Sequence, residues 1–466
     1  MDEDMGEFED VWEDELESDS GEEIVDGEAQ DGDEAADAGK TTRKYQMEVD
    51  DEREVKVYLP GQKLEKDEVL EVDNSAYEML HSMNVKWPCL SFDVLRDDLG
   101  EDRSKYPHTA YIVAGTQADK PKNNEVMVMK MAQLHRTSHD DEDNTDEEDE
   151  DDLDDDPILE HRSIKHIGGV NRIRTMQHGQ TQLAATWADT GKVHIWDISM
   201  QIQSLARAGA TAPKNNDPLF TMKSHTDEGF AMDWSTLVPG KLLTGDCKNA
   251  IYLTSATDAG FQADLVPFKA HQDSVEDLQW SPAEKTVFAS CSADRTIRIW
   301  DTRAKRNKEA LGFEAHQADV NVITWNRKVS YLMASGSDDG IISIWDMRTF
   351  VGASGGPTPV ATFKWHNAPI TSIEWSPQEE SVLAVSGADD QLTLWDLSVE
   401  PDPEEEAAAA TTAVDAQGNP IAVPPQLLFI HQGQNDIKEL HWHPQIPGCV
   451  VSTAASGFNV FKTISV

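Results

Sequence analysis

The 466-residue chain sets 39 Lys and Arg against 87 Asp and Glu, a net charge of −48, and its 38% hydrophobic content is ample for a large folded core. A charge of this sign and size excludes nucleic acid as a direct partner, because phosphates repel it, and points to a cationic partner instead. MDEDMGEFED lacks the basic start and apolar core of a signal peptide, no apolar run approaches a membrane span, and the four dispersed cysteines (Cys89, Cys247, Cys291, Cys449) form neither a CxxC zinc pattern nor a disulfide framework.

Taken in chain order, Met1 to Asp37 holds 19 acidic residues and no Lys or Arg, so residues 1–53 read as a disordered acidic tail. Within it, Phe8, Trp12 and Leu16 are set among carboxylates. Such a segment can fold on a basic, partly apolar surface with Trp12 as anchor; a merely solubilising tail is the alternative, though it gives an exposed Trp no purpose. Ser20 and Thr145, each with an acid three residues on, fit acid-directed phosphorylation. EVKVYL at 54–59 has strand alternation. Beyond it, Ser75 and Glu78 have capping-box spacing and Ala76, Met79, Leu80 and Met83 share one helical face, which predicts a short helix ended by Asn84 and Pro88. Residues 54–88 are thus expected to supply a strand and a helix.

CLSFDVL, TAYIVAG and EVMVMKM then read as three short strands, with SIKHI as a fourth. Between the third and fourth lies the second polyanionic run: Asp140, Asp141, Glu142, Asp143, Asp146, Glu147, Glu148, Asp149, Glu150, Asp151, Asp152, Asp154, Asp155 and Asp156. These 14 carboxylates and the 19 of the tail account for all but 15 of the net −48, so the remainder is an ordinary mildly acidic globular protein. The run is predicted to be a disordered loop over 137–157, and it lacks the central Gly and terminal Glu spacing of an EF-hand.

Repetition follows. VHIWD, IRIWD, ISIWD and LTLWD end at Asp197, Asp301, Asp346 and Asp396, and with Thr254 of IYLTS in the Trp position the steps from Trp196 are 58, 46, 45 and 50 residues. That is the period of WD repeats, each a four-stranded propeller blade. Counting the front unit and a last one built from IKELHW, CVVSTA and FNVFKT predicts an all-β, seven-bladed propeller over 89–466, closed because a ring removes exposed sheet edges. The last unit reaches Val466 with three strands, so EVKVYL is expected to return as its outer one. The insert VEPDPEEEAAAATTAVDAQGNPIAVPP, at 399–425, reads as a flexible rim loop, and VGASGGPTPV at 351–360 as a connection rather than a phosphate loop, having no Lys.

The residues His271, Ser290, Asp294 and Trp300, and again His316, Ser335, Asp339 and Trp345, invite a catalytic-triad reading. A set that recurs once per repeat is instead a structural tetrad, and no catalytic site is expected. His441 and His443 share one strand face but have no evident third ligand, so two exposed strand histidines are expected rather than a metal site. WDTR and WDMR place Arg303 and Arg348 in the WDxR pattern of cullin-ligase substrate receptors.

The strings YLPGQKLE, PCLSFDVLRDDLG, YIVAGTQA, GGVNRIR, PPQLLFIHQGQNDIKELHWHPQIPG and GFNVFKTISV resemble the glutamate-rich WD-repeat protein family, from about Tyr58 to Val466. That family is similar in turn to the histone-binding WD proteins of chromatin-assembly complexes. In those relatives a groove between an N-terminal helix and a PP loop holds a basic histone helix, which by resemblance assigns a groove to Tyr77, Leu80, Pro424, Pro425 and Leu427 here. The resemblance implies a dedicated, non-enzymatic chaperone of the basic ribosomal protein L-three of the large subunit. It would capture that client in the cytoplasm and deliver it to pre-ribosomal particles in the nucleus and nucleolus. A histone chaperone and a WDxR ligase adaptor are the alternatives. A monomer is expected, with no cofactor, metal, membrane or direct nucleic-acid partner.

Overall fold

Short runs of alternating apolar and polar residues fold as strands that pair antiparallel with their sequence neighbours, and the register closes seven four-stranded sheets. The structure, a computed structural model, describes residues 58–60, 62, 70–137, 156–207, 209–213, 216–305, 308–350, 357–400 and 421–465. The tail residues Phe8, Trp12 and Leu16 and the run from Asp140 to Asp155 lie outside that set.

The first strands of the seven sheets are Cys89–Leu95, Val170–His178, Ala231–Trp234, Val275–Trp280, Val320–Trp325, Ile370–Trp375 and Glu439–Trp442. Each contacts the first strand of the next sheet, and that of blade seven returns to that of blade one. They are the inner strands around a central channel, and the molecule is a seven-bladed β-propeller. Its apolar residues collect between adjacent blades. Val275, Leu278 and Phe288 of blade four, for example, pack with Ala231, Leu243 and Ile251 of blade three. Because strands alternate in direction, the first-to-second and third-to-outer connections of every blade emerge on one common face.

The ring is closed by a different segment from the one expected. Asn74–Ala76 is a single 3-10 turn and Tyr77–Met83 is a strand, pairing antiparallel with Gly457–Thr463 as the outer strand of blade seven. The predicted helix does not form, and of EVKVYL the described residues Tyr58 and Leu59 are not strand. YEMLHSM satisfies both periodicities: Tyr77, Met79 and Met83 alternate as a buried strand face while Met79, Leu80 and Met83 also fit a helix. A sheet edge with unpaired main-chain groups decides between them, a non-local term that local spacing does not contain. Gly457 permits the closure, since a Cβ there would collide with the Met83 carbonyl oxygen.

One helix, Ser199–Ala206, was not expected. It sits in the third-to-outer connection of blade two and buries Leu205 with Ile198 against the blade one–two core.

Candidate binding surfaces

The groove forms where the closing strand meets blade six. Tyr77 packs edge-on against Phe429 and Phe461, at 5.2 and 6.1 Å between ring centroids, and its hydroxyl lies 2.8 Å from His431 Nδ1. Leu80, Leu428 and Phe429 are partly buried on the same cluster and keep apolar surface at the rim. Pro424 opens the turn here, its carbonyl accepting the Leu427 N–H at 2.9 Å, and Pro425 follows in that turn. Leu427 turns away, because a register shift at Leu394/Trp395 sends it into the blade five–six core and leaves Leu428 beside the closing strand. The groove wall is therefore Tyr77, Leu80, Leu428 and Phe429, with a strand where a helix was expected.

The stem of the acidic run is tied to the same closing strand. The third strand of blade one, Glu125–Leu134, runs on to His135, whose carbonyl oxygen accepts from His81 Nε2 at 2.9 Å. The Thr137 N–H then donates to the Glu78 carbonyl at 3.1 Å, and Arg136 lies over the Tyr106 ring at 5.1 Å. On the returning side Asp156 is exposed just before the outer strand Ile158–Lys165, and Ala132 pairs with Ile158. Whatever path residues 138–155 take, both their ends are fixed on blade one, next to the groove.

The tetrad residues lock blades internally. His271 Nδ1 is 2.9 Å from Asp294, and its Nε2 is 2.7 Å from Ser290 Oγ, which also accepts the Trp300 indole N–H at 2.8 Å. In blade five His316 Nε2 and Trp345 Nε1 converge on Ser335 Oγ at 2.7 and 2.8 Å, and Asp339 takes the Ser337 hydroxyl at 2.5 Å. Each set is buried within a sheet, so it is unavailable to substrate. Arg303 and Arg348 are exposed, but each guanidinium is engaged by the preceding carboxylate, Asp301 or Asp346, with a shortest contact of 2.6 Å, and Arg348 also stacks on Tyr331.

The channel holds a charged network that the sequence reading missed. Glu439 of blade seven, 1% exposed, accepts Arg172 Nη1 at 2.5 Å and Arg174 Nη2 at 2.7 Å from blade two, while its second oxygen takes the Phe92 N–H of blade one at 2.8 Å. His441, expected to be solvent-exposed, is enclosed here instead, 2.9 Å from Glu374 and 3.8 Å from Glu439. Burial alone would lower its pKa, but those two carboxylates raise it to about 10. His443 is fully buried beyond the strand, its Nδ1 accepting the Gln445 and Ile446 N–H groups, and burial lowers it to about 3. Other inner-strand carboxylates stitch neighbouring blades: Asp93 to Thr175 N, Asp233 to Trp280 N, Asp277 to Ile323 N and Glu374 to Trp442 N, at 2.6 to 3.1 Å. The legible signal was charge at alternate positions on inner strands, as in NRIR and ELHW, where a channel-facing side chain on an open edge is the only exposed choice.

These features define a WD-repeat scaffold whose third-to-outer loops carry the variable, charged segments. The WD domain, G-beta repeat model matches residues 264–301, 307–346 and 357–396, and the model for histone-binding protein RBBP4 of the CAF1 complex matches residues 67–135. The WD40 propeller domain of Doa1 is similar with a TM-score of 0.52 at 13% identity, over 83% of this chain and 96% of that one, which speaks for the fold alone. The chain is 49% identical to ribosome assembly protein rrb1 of Schizosaccharomyces pombe, over all of its own length and 94% of the relative's. It is 53% identical to glutamate-rich WD repeat-containing protein 1 of Dictyostelium discoideum, over 86% of this chain and 83% of that one. Protein HEAT STRESS TOLERANT DWD 1 of Arabidopsis thaliana is 47% identical over 88% and 92%. The chain belongs to this family of glutamate-rich WD-repeat proteins.

Proposed function

We propose that the protein is a non-enzymatic chaperone in ribosome assembly that binds a newly made basic ribosomal protein, the large-subunit protein L-three, and shields its RNA-binding surface until delivery to nucleolar pre-ribosomes. The observation that carries this reading is the placement of the polyanionic run: 14 carboxylates within residues 140–156, anchored at both ends beside an apolar groove on a rigid propeller. The groove and the propeller face supply selectivity, and the carboxylates supply attraction and screening. Release follows when rRNA, with its denser phosphate charge, competes for the client. The name of the S. pombe relative supports the process, and strong basicity of the client explains why a −48 chain serves it.

A histone chaperone is the second reading, favoured by the RBBP4-type match over residues 67–135, which takes in the closing strand and most of blade one. The two are separated by competition: the purified full chain is presented with L-three and with a histone H3–H4 complex at equal concentration and physiological salt. Preferential capture of L-three supports the assembly reading; equal or preferential capture of histones overturns it. The WDxR reading predicts that Arg303→Ala and Arg348→Ala abolish association with a cullin complex while client capture is unchanged.

A further inference from the structure

Five inner strands end in tryptophan, and four of these indoles donate to a main-chain carbonyl. Trp234 donates to Arg174 O at 3.1 Å, Trp325 to Ser330 O at 2.6 Å, Trp375 to Thr324 O at 3.2 Å and Trp442 to Glu374 O at 3.0 Å. Trp280 differs. It is 4% exposed, yet its Nε1–H has no partner among the described residues. A buried donor left unpaired is costly, so such a group asks for an acceptor from outside the chain.

The indole opens into a notch of about 240 Å³ at the channel mouth, lined also by Asp233, Thr236, Gln279, Pro282 and Arg327. Thr236, Pro282 and Arg327 lie in first-to-second strand connections of blades three, four and five, so the notch opens on the face from which the long inserts of blades one, two and six leave. Arg327 is exposed and forms no ion pair among the described residues. The Gln279 side-chain oxygen is already taken by the Trp325 N–H, and one Asp233 oxygen by the Trp280 N–H at 2.7 Å. The notch therefore presents an indole N–H and a guanidinium, with a single carboxylate oxygen to spare.

That inventory selects the ligand. A basic side chain cannot accept from the indole and meets Arg327. A carboxylate meets Asp233 and the acidity of the whole chain. A neutral carbonyl is free of both penalties, and its own peptide N–H suits Asp233. We propose that the notch takes a main-chain carbonyl of the client, with Trp280 Nε1–H and the Arg327 guanidinium as donors, so that the client lies across the channel mouth on the insert-bearing face. This rests on the chaperone reading for the identity of the client, but not for the chemistry of the notch.

The test uses the full chain with its 13 tryptophans labelled with ¹⁵N in the indole, the Trp280 signal being assigned by its loss in Trp280→Phe. N-methylacetamide, a minimal peptide group, is titrated first, then sodium acetate, then L-three. The expected result is a saturable downfield shift of the Trp280 indole with N-methylacetamide and with L-three, none with acetate, and none of the Trp442 indole. Trp280→Phe should weaken client binding about tenfold, the worth of one good hydrogen bond, and leave the melting temperature unchanged, because the bond it deletes is unmade in the free protein. Trp442→Phe, which deletes a made bond, should lower it. A Trp280 signal moved by neither peptide group nor client, as when the notch holds only water, overturns the proposal. So does a response to acetate alone, or a loss of stability in Trp280→Phe equal to that in Trp442→Phe. If N-methylacetamide shifts Trp280 but L-three does not bind the wild-type chain, the chaperone reading fails and the carbonyl site stands.

Discussion

Glu439 is the residue on which most of the channel depends. It receives two guanidiniums and a main-chain N–H from three different blades while almost fully buried. Burial would raise its pKa, yet Arg174 and Arg172 outweigh that effect and hold the carboxyl well below its usual range. Removing one partner of a buried ion pair leaves the others uncompensated, so Glu439→Gln should cost about 3–5 kcal/mol of stability, read by denaturant unfolding. His441 sets a pH dependence of its own. A group whose pKa is raised from 6.5 to about 10 on folding contributes stability that is fully present below about pH 6.5 and lost as the pH rises through about 10. The melting temperature should therefore fall between pH 7 and 10.5, and His441→Asn should flatten that slope. His108 and His443, lowered chiefly by burial to about 4 and about 3, act at the other end: their contribution is present above pH 6.5 and lost as the pH falls through those values.

At the scale of elements, the closing strand decides whether a propeller exists. Tyr77–Met83 is held by pairing with Gly457–Thr463, by the Tyr77 hydroxyl on His431, by Lys462 on Glu78 at 2.7 Å, and by Ser82 on Asn459 at 2.9 Å. Tyr77→Phe should cost about 1 kcal/mol through the lost hydrogen bond. Tyr77→Ala should cost about 3–5 kcal/mol through the cavity beside Phe429 and Phe461, and both are measurable by urea unfolding. Deleting residues 1–57 should leave the melting temperature unchanged, whereas deleting 1–83 should open blade seven and cause aggregation. What the sequence made legible here follows the same division. The repeat positions Trp196, Trp300, Trp345 and Trp395 are covalently local markers of a blade, and they placed third strands correctly. The identity of the closing strand, the turn of Leu427 away from the groove and the burial of His441 depend on partners tens to hundreds of residues distant, and no local spacing encodes them.

The whole molecule combines two kinds of surface: a rigid ring with buried charge turned inward, and acidic segments attached at its rim. The ring gives position, because its blades are stitched to one another by inner-strand carboxylates and tryptophans. The acidic run gives reach and charge, and its stems at His135–Thr137 and Asp156 place that charge beside the apolar wall of Tyr77, Leu80, Leu428 and Phe429. The central claim is that this run screens a basic client, and screening has a salt signature, since charges farther apart than about 8 Å interact little at physiological ionic strength. The most direct measurement compares L-three binding by the wild-type chain and by one in which residues 140–156 are replaced with a neutral Gly/Ser linker, across salt concentrations. The account predicts that the replacement weakens binding strongly at low salt, that the two affinities converge as salt rises, and that the slope of affinity against salt becomes shallower. Equal affinities at every salt concentration would contradict it.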